Sequence, residues 1–410
     1  MERSERFSPT SVPTEHSDQP HSEPFFVAVH IGVGFHSEKN RVHKRHAIGR
    51  ACRAARDCLQ SHGEIRDAVV AAIRILEDSP FTNAGHGSNL TFDGSVECDA
   101  GIMSGDGEFG AVGAAPGLCN PIEVASCLAK RSAEPLSCGR VQPTFLAGDG
   151  ARLWALERGL PASKTMEDAK KLHVTDASKA KWKRYIEMVQ SNDDKQDGGE
   201  ASSDQEAKLT SGEEGNDRKR RRVGDVCDTV GCVVVDSQGA VCAGVSSGGL
   251  AVKVSGRVGE AALYGAGCWA KHCNTLRFPS VATSVSGVGE LVSRALVARL
   301  SAHSMLAQTA DPLDFILEET ITQATDGWAN PANDIGLIAL RASRAEVSQE
   351  MVVEFAVGHN SESMGFGCLG SDGKLMVDFL PKTLGTSHDS VPAVFGAAVR
   401  WKLGGGGKGD

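Results

Sequence analysis

No stretch of this 410-residue sequence is long and apolar enough to span a bilayer, so no membrane partner is expected. The first residues, Met1 to Pro24, are rich in Ser, Thr, Pro, Glu and His. They lack the apolar core that a secretory signal needs, and 1–24 reads as a disordered tail. The 12 cysteines include no C-x-x-C pair, and Cys52, Cys232, Cys242 and Cys268 sit inside apolar runs. Reduced, buried thiols in a nuclear or cytoplasmic protein fit that pattern better than a disulfide framework. Aromatics are scarce at 5 %, and the basic run Arg218–Arg222 carries none. With a net charge of −9, this argues against a nucleic-acid partner.

What is present suits a compact protein of mixed helices and strands: 40 % apolar residues and 47 glycines. An apolar strand-like run, Phe25 to His30, opens the folded part. Two helical patterns follow, one through Ile48, Ala51, Cys52, Ala55 and Leu59, the other through Ile65, Ala68, Val69, Ala72, Ile73 and Leu76. Further on, helical patterns are expected at Pro121 to Arg131, Gly150 to Glu157, Glu290 to about His303, and Pro312 to about Ala324. Strands are expected at Glu97 to Met103, Phe109 to Ala114, Val230 to Val235, Ala240 to Val245, Ala262 to Trp269, Asp334 to Leu340 and Met351 to Val357. Between the halves, Ser191 to Asp217 holds nine acids and only three apolar residues, Ala201, Ala207 and Leu209. Such a stretch buries too little to offset its ordering entropy, and a disordered linker over about 191–227 is the expectation.

Asp228-Thr229-Val230-Gly231 stands where that linker meets a dense strand. A threonine hydroxyl is a poor nucleophile until a base takes its proton. If the bond before Thr229 is cut, the new α-amine, with an ordinary pKa of about 7.7–8.0, can be that base. Gly231 would leave space above the strand for a substrate. Counting across the turn Asp236-Ser237-Gln238-Gly239 sets Thr229 opposite Ser246 with Ser247 adjacent, so either hydroxyl could touch it. Ser286-Gly287-Val288-Gly289-Glu290 leads from a strand into a helix, and its amides could cradle an oxyanion. Asn83 could donate to the same oxygen. Arg257, set between Gly256 and Gly259, could bind a carboxylate bidentately or simply close a surface salt bridge.

Together these stretches resemble the type 2 asparaginases of the Ntn-hydrolase class, and within them the proteolytic branch, the threonine aspartases (taspases). The resemblance is carried by His30 to Glu38, Leu76 to Gly85, Glu97 to Ala100, Phe109 to Ala114, Asp228 to Asp236, Val245 to Leu250, Gly256 to Gly259 and Ala262 to Gly265. It implies an α+β fold, a four-layer αββα sandwich, cut at Asp228–Thr229 into an α-subunit (25–228, after the tail) and a β-subunit (229–410). By resemblance Thr229 is the nucleophile, Ser247 contacts its amine, Asn83 and Ser286 with Gly287 surround the oxyanion, and Arg257 anchors a substrate carboxylate. Two positions depart from the asparaginase pattern. Asp228 replaces the usual glycine, and the substrate-side residue three after the arginine is Glu260 rather than Asp. Both favour an endopeptidase that cuts protein substrates after aspartate, needing no metal or organic cofactor. The alternatives are an L-asparaginase or isoaspartyl peptidase acting on small substrates, and an inactive scaffold that binds partners through the basic linker. In the taspase branch Arg218–Arg222, with Lys179, Lys181, Lys183 and Arg184, resembles a two-part signal for a nuclear import receptor, giving nuclear and cytoplasmic residence. The family's assembly is an αβ heterodimer, paired again into a dimer of heterodimers.

Overall fold

The computed structural model describes residues 23–197, 226–227, 229–273, 278–345, 348–382 and 392–403. Two β-sheets lie face to face between two layers of helices. The larger sheet runs β13 (Leu375–Pro381), β12 (Ser363–Gly370), β1 (Phe26–Gly34), β6 (Val230–Val235), β7 (Val241–Ser247), β2 (Cys98–Ser104), β3 (Phe109–Ala115), β4 (Phe145–Ala147), with the two-residue β5 (Val226–Cys227) on β1. The smaller runs β14 (Ala393–Lys402), β11 (Glu350–His359), β10 (Ile335–Ala345), β9 (Ser280–Gly287), β8 (Cys268–Lys271).

Strand alternation explains the layering. Along β1, Phe26 and Ala28 face the second sheet, whereas Val27, Val29 and Ile31 face the outer helices; along β6, Val233 and Val235 point inward, Cys232 and Val234 outward. The outward set is covered by α1 (Glu38–Gln60), α2 (Ile65–Glu77), α3 (Pro121–Arg131) and α4 (Gly148–Glu157). On α2 the buried positions Ala68, Val69, Ala72, Ile73 and Leu76 form one helical stripe. The far side of the second sheet is covered by α7 (Gly289–Ala295), α8 (Val297–Ala307) and α9 (Leu313–Thr325). The four-layer αββα expectation holds.

Several local expectations change. The stretch expected as one helix from Glu290 to His303 is two, because Leu296 adopts a left-handed conformation, φ 49°, between α7 and α8. Ala262 to Trp269 is not one strand: Glu260–Ala262 is a 3-10 turn, and pairing begins only at Cys268. The stretch expected to open the linker at Ser191 is helical. After the short α5 (Met166–Lys171), helix α6 runs Asp176–Asp197. Its start is nucleated by reciprocal bonds, Ser178 N to Thr175 Oγ1 and Thr175 N to Ser178 Oγ, both 3.0 Å. Tyr185 is buried, and Trp182 packs on the Leu90–Val96–Cys98 cluster. Once a helix is seeded and packed, each added residue costs little, so it outruns the composition change. At the other end of the stretch expected as linker, Cys227 and Val226 pair with Val33 and Gly34 of β1. Most of the 1–24 tail, residues 198–225 with the Arg218–Arg222 run, and Asp228 lie outside the described residues.

Candidate active site

Thr229 is the residue before β6, buried at the end of the inter-sheet space. The register pairs Val230 with Ser246, one residue off the counted value, so Thr229 stands across from Ser247. Thr229 and Ser247 therefore share the inner face, and their hydroxyls are 3.2 Å apart. Ser246 points the other way and donates to Glu77 Oε1 at 2.7 Å. Burial raises the Glu77 carboxyl to about 8, so it is largely protonated near neutrality.

A small cleft, with about 10 Å³ of free space, is lined by Asn83, Thr229, Ser247, Gly249, Leu250, Arg257, Glu260 and Gly287. That is the room of roughly one water molecule. Glu260 is 2 % exposed, and its Oε1 lies 2.9 Å from Thr229 Oγ1. Burial raises its carboxyl above the ordinary range, opposed by the nearby Arg257 and by the Thr229 hydroxyl. The Arg257 guanidinium clasps Glu290 through Nε and Nη2 at 3.0 and 2.9 Å, in the bidentate geometry of a strong ion pair. Burial alone would raise the Glu290 carboxyl, but that pairing holds it low. A Cβ on Gly289 would sit 2.4 Å from Arg257 Nη2 and 2.7 Å from Glu260 Oε2. Only glycine lets α7 come this close.

The loop that carries Arg257 and Glu260 is tied down by two acids, Glu97 just before β2 and Asp99 within it. Glu97 accepts from Ser255 Oγ at 2.5 Å and Gly256 N at 2.8 Å, and buried Asp99 accepts from Gly259 N at 2.8 Å and Ala114 N at 2.7 Å. Asn83 is held from both ends. Its Nδ2 donates to Gly249 O at 2.9 Å and its Oδ1 accepts from Asn89 N at 2.8 Å.

Three expectations shift. Gly231 does not make room for substrate: a Cβ there would lie 2.0 Å from Ser284 Oγ and 2.4 Å from His30 Nε2, within the packing between sheets. Ser286 is behind the cleft, its Oγ accepting from Val33 N of β1 at 3.2 Å; the neighbouring Gly287 lines the cleft instead. In the same turn the Val288 N–H is bonded to Asp334 O at 2.9 Å, so it is not aimed at a developing oxyanion. The reason is strand alternation: β9 positions 284 and 286 face the larger sheet.

His30 and Ser284 were not singled out as site residues. Nδ1 of His30 accepts from Gly32 N at 3.2 Å, which leaves the proton on Nε2; that nitrogen is 3.0 Å from Ser284 Oγ, and Ser284 donates to Gly244 O at 2.9 Å. The imidazole also bonds the Thr229 backbone, while burial lowers it to about 3, so it stays neutral. Glu290 was seen only as part of a helix-starting turn, because its partner Arg257 is 33 residues away.

An αββα sandwich with a buried threonine hydroxyl at the start of a central strand, and a serine and a carboxylate on that hydroxyl, has the architecture of an Ntn hydrolase. The comparisons agree. The family model described as Asparaginase (Asparaginase_2) matches residues 23–365, and the chain belongs to this family, the type 2 asparaginases. The isoaspartyl peptidase/L-asparaginase of Xenopus laevis is 30 % identical over 280 residues, 68 % of this chain and 75 % of that protein. The plant-type L-asparaginase of Pyrobaculum calidifontis is 30 % identical over 351 residues, covering 83 % and 95 %. The isoaspartyl peptidase/L-asparaginase of Mus musculus is 30 % identical over 277 residues, covering 67 % and 71 %.

Proposed function

We propose that the chain cuts itself before Thr229 and that the mature protein is a threonine endopeptidase acting after aspartate. The observation that carries this reading is the residue at its own junction: Asp228 immediately precedes the buried Thr229, so the first bond the site acts on is an aspartyl bond inside a peptide. In the mature enzyme the freed amine draws the proton from Thr229 Oγ1, with Ser247 beside it as hydrogen-bond partner. The hydroxyl attacks the carbonyl after a substrate aspartate, whose side chain pairs with Arg257. Asn83 Nδ2 has two N–H groups; one is committed to Gly249 O, and the other serves the tetrahedral oxyanion, a donor worth about 3 kcal/mol in comparable sites. Ester hydrolysis by water then restores Thr229.

A second reading, an L-asparaginase or isoaspartyl peptidase on small substrates, is favoured by the names of the relatives. Assaying an internal aspartyl peptide against L-asparagine and a β-aspartyl dipeptide separates the two; ammonia release or dipeptide cleavage without cutting of the longer peptide overturns the endopeptidase. A denaturing gel tests the cut itself. The 43.1 kDa chain should yield pieces of roughly 24 and 19 kDa, the smaller beginning at Thr229, and Thr229→Ala should stay whole. A chain that is whole yet binds partners would be the inactive scaffold.

A further inference from the structure

Before any cut, Thr229 has no α-amine, so the base proposed for the mature enzyme does not exist when the first bond must break. The geometry points to Glu260 as the catalytic base of self-cleavage, a proposal that rests on the reading of Thr229 as the cutting residue. Three observations support it. Glu260 Oε1 is 2.9 Å from Thr229 Oγ1, inside proton-transfer reach. Thr229 Oγ1 has one proton and two acceptors in reach: Glu260 Oε1 is the nearer, at 2.9 against 3.2 Å, and Ser247 Oγ already accepts from Gly249 N at 3.0 Å. The reach is also fixed from behind, since Asp99 holds Gly259 N and Gly289 admits the Glu260 carboxylate without a Cβ in its way.

The step balances as follows. Thr229 Oγ bonds to the carbonyl carbon of the preceding residue while its proton passes to Glu260 Oε1. The C–N bond then breaks, its electron pair staying on the Thr229 nitrogen, which takes the proton back from Glu260. The ester so formed is opened by water, whose OH joins the acyl carbon and whose remaining proton returns to Thr229 Oγ. The result is a free amine beside a free hydroxyl, and Glu260 leaves the cycle in the form in which it entered. From then on the amine is the base.

Charged groups around Glu260 set when it can accept. Arg257 on the same loop favours the carboxylate, Asp99 of β2 opposes it, Lys253 offsets Asp99, and Glu290 of α7 neutralises part of Arg257; buried His30 beside Thr229 is neutral. Self-processing of the full chain should therefore accelerate as pH rises through an ionisation above the ordinary glutamate range, then level off. Glu260→Gln keeps the shape and loses the base; processing should slow by about 100-fold or more and lose this pH dependence. Glu260→Asp keeps a carboxylate but falls one methylene short, so it should process slowly with the pH dependence retained. A role in packing alone would lower melting temperature without altering the pH profile. The idea fails if folded Glu260→Gln processes within about threefold of the parent with the same profile, or if the Asp variant is flat with pH. A parent chain that stays whole at every pH removes the self-cleavage reading, and this inference with it.

Discussion

Replacing Gly231 by alanine tests whether this glycine serves the substrate or the seam between the sheets. An ideal Cβ there would sit 2.0 Å from Ser284 Oγ, 2.4 Å from His30 Nε2 and 3.0 Å from Gly244 O. The first two are closer than any real Cβ contact, so the Ser284 hydroxyl and the imidazole must move. Overpacking of this kind costs about 1–3 kcal/mol. Displacement also strains two bonds, His30–Ser284 and Ser284–Gly244, each worth about 1 kcal/mol net. A loss of about 2–4 kcal/mol follows, which for a domain of this size lowers Tm by roughly 3–5 °C. The measurement belongs in the Thr229→Ala background, where the chain is expected to stay in one piece and unfold as one. A Gly231→Ala/Ser284→Ala pair removes the nearest clash and should recover about half the loss, because neighbours in contact are not additive. In the cleavable chain, Gly231→Ala should lower kcat through the shifted Thr229 backbone, with little change in KM. If Gly231→Ala melts within about 1 °C of its parent and acts only by raising KM, the glycine is there for substrate and the packing argument is wrong.

Ser247→Ala removes the hydroxyl 3.2 Å from Thr229 Oγ1 and leaves the buried Gly249 N–H without its acceptor; kcat on peptide should fall about 100-fold, and the orphaned donor should cost about 1–3 kcal/mol of stability. Glu290→Gln keeps the shape of the Arg257 clasp and removes its charge, so an aspartyl substrate should bind more tightly, seen as a lower KM; an unchanged KM would mean that Arg257 does not meet the substrate carboxylate. Glu77 has a folded pKa of about 8, above its ordinary 4.5, so the stability it contributes is complete below about pH 4.5 and is lost as pH rises through 8. Against the parent, Glu77→Gln should gain relative stability by up to about 1.4 kcal/mol per pH unit across that window, read from chemical unfolding in the Thr229→Ala chain; parallel pH curves would refute the burial of that carboxyl.

Much of the layer order was legible because burial follows short periods. The α2 stripe from Ala68 to Leu76 and the alternation along β1 and β6 are repeats of neighbouring residues, and they identify which faces must be covered. The Thr229–Ser247 pairing was nearly legible too, since a four-residue turn leaves only a small choice of register. Counting missed by one residue, and in a strand one residue decides which side a hydroxyl faces. Ser246 went to Glu77 and Ser247 to Thr229. The helix past Ser191 was not legible, because composition reports what a segment can bury, not how far a helix seeded at Thr175–Ser178 will run on.

The sequence by itself determined the alternating apolar faces, the threonine at the mouth of a strand behind an aspartate, and the residue types available to its chemistry. It did so because hydrophobic periodicity and hairpin geometry are local properties of the chain. Only the tertiary structure decided that Glu260 reaches the Thr229 hydroxyl, that Arg257 is clasped by Glu290, that Ser286 turns away, and that Gly231 is small for the sake of Ser284 and His30. Those outcomes depend on how two sheets and their loops meet, through contacts between residues tens to hundreds of positions apart. No period in the sequence encodes the distance between them.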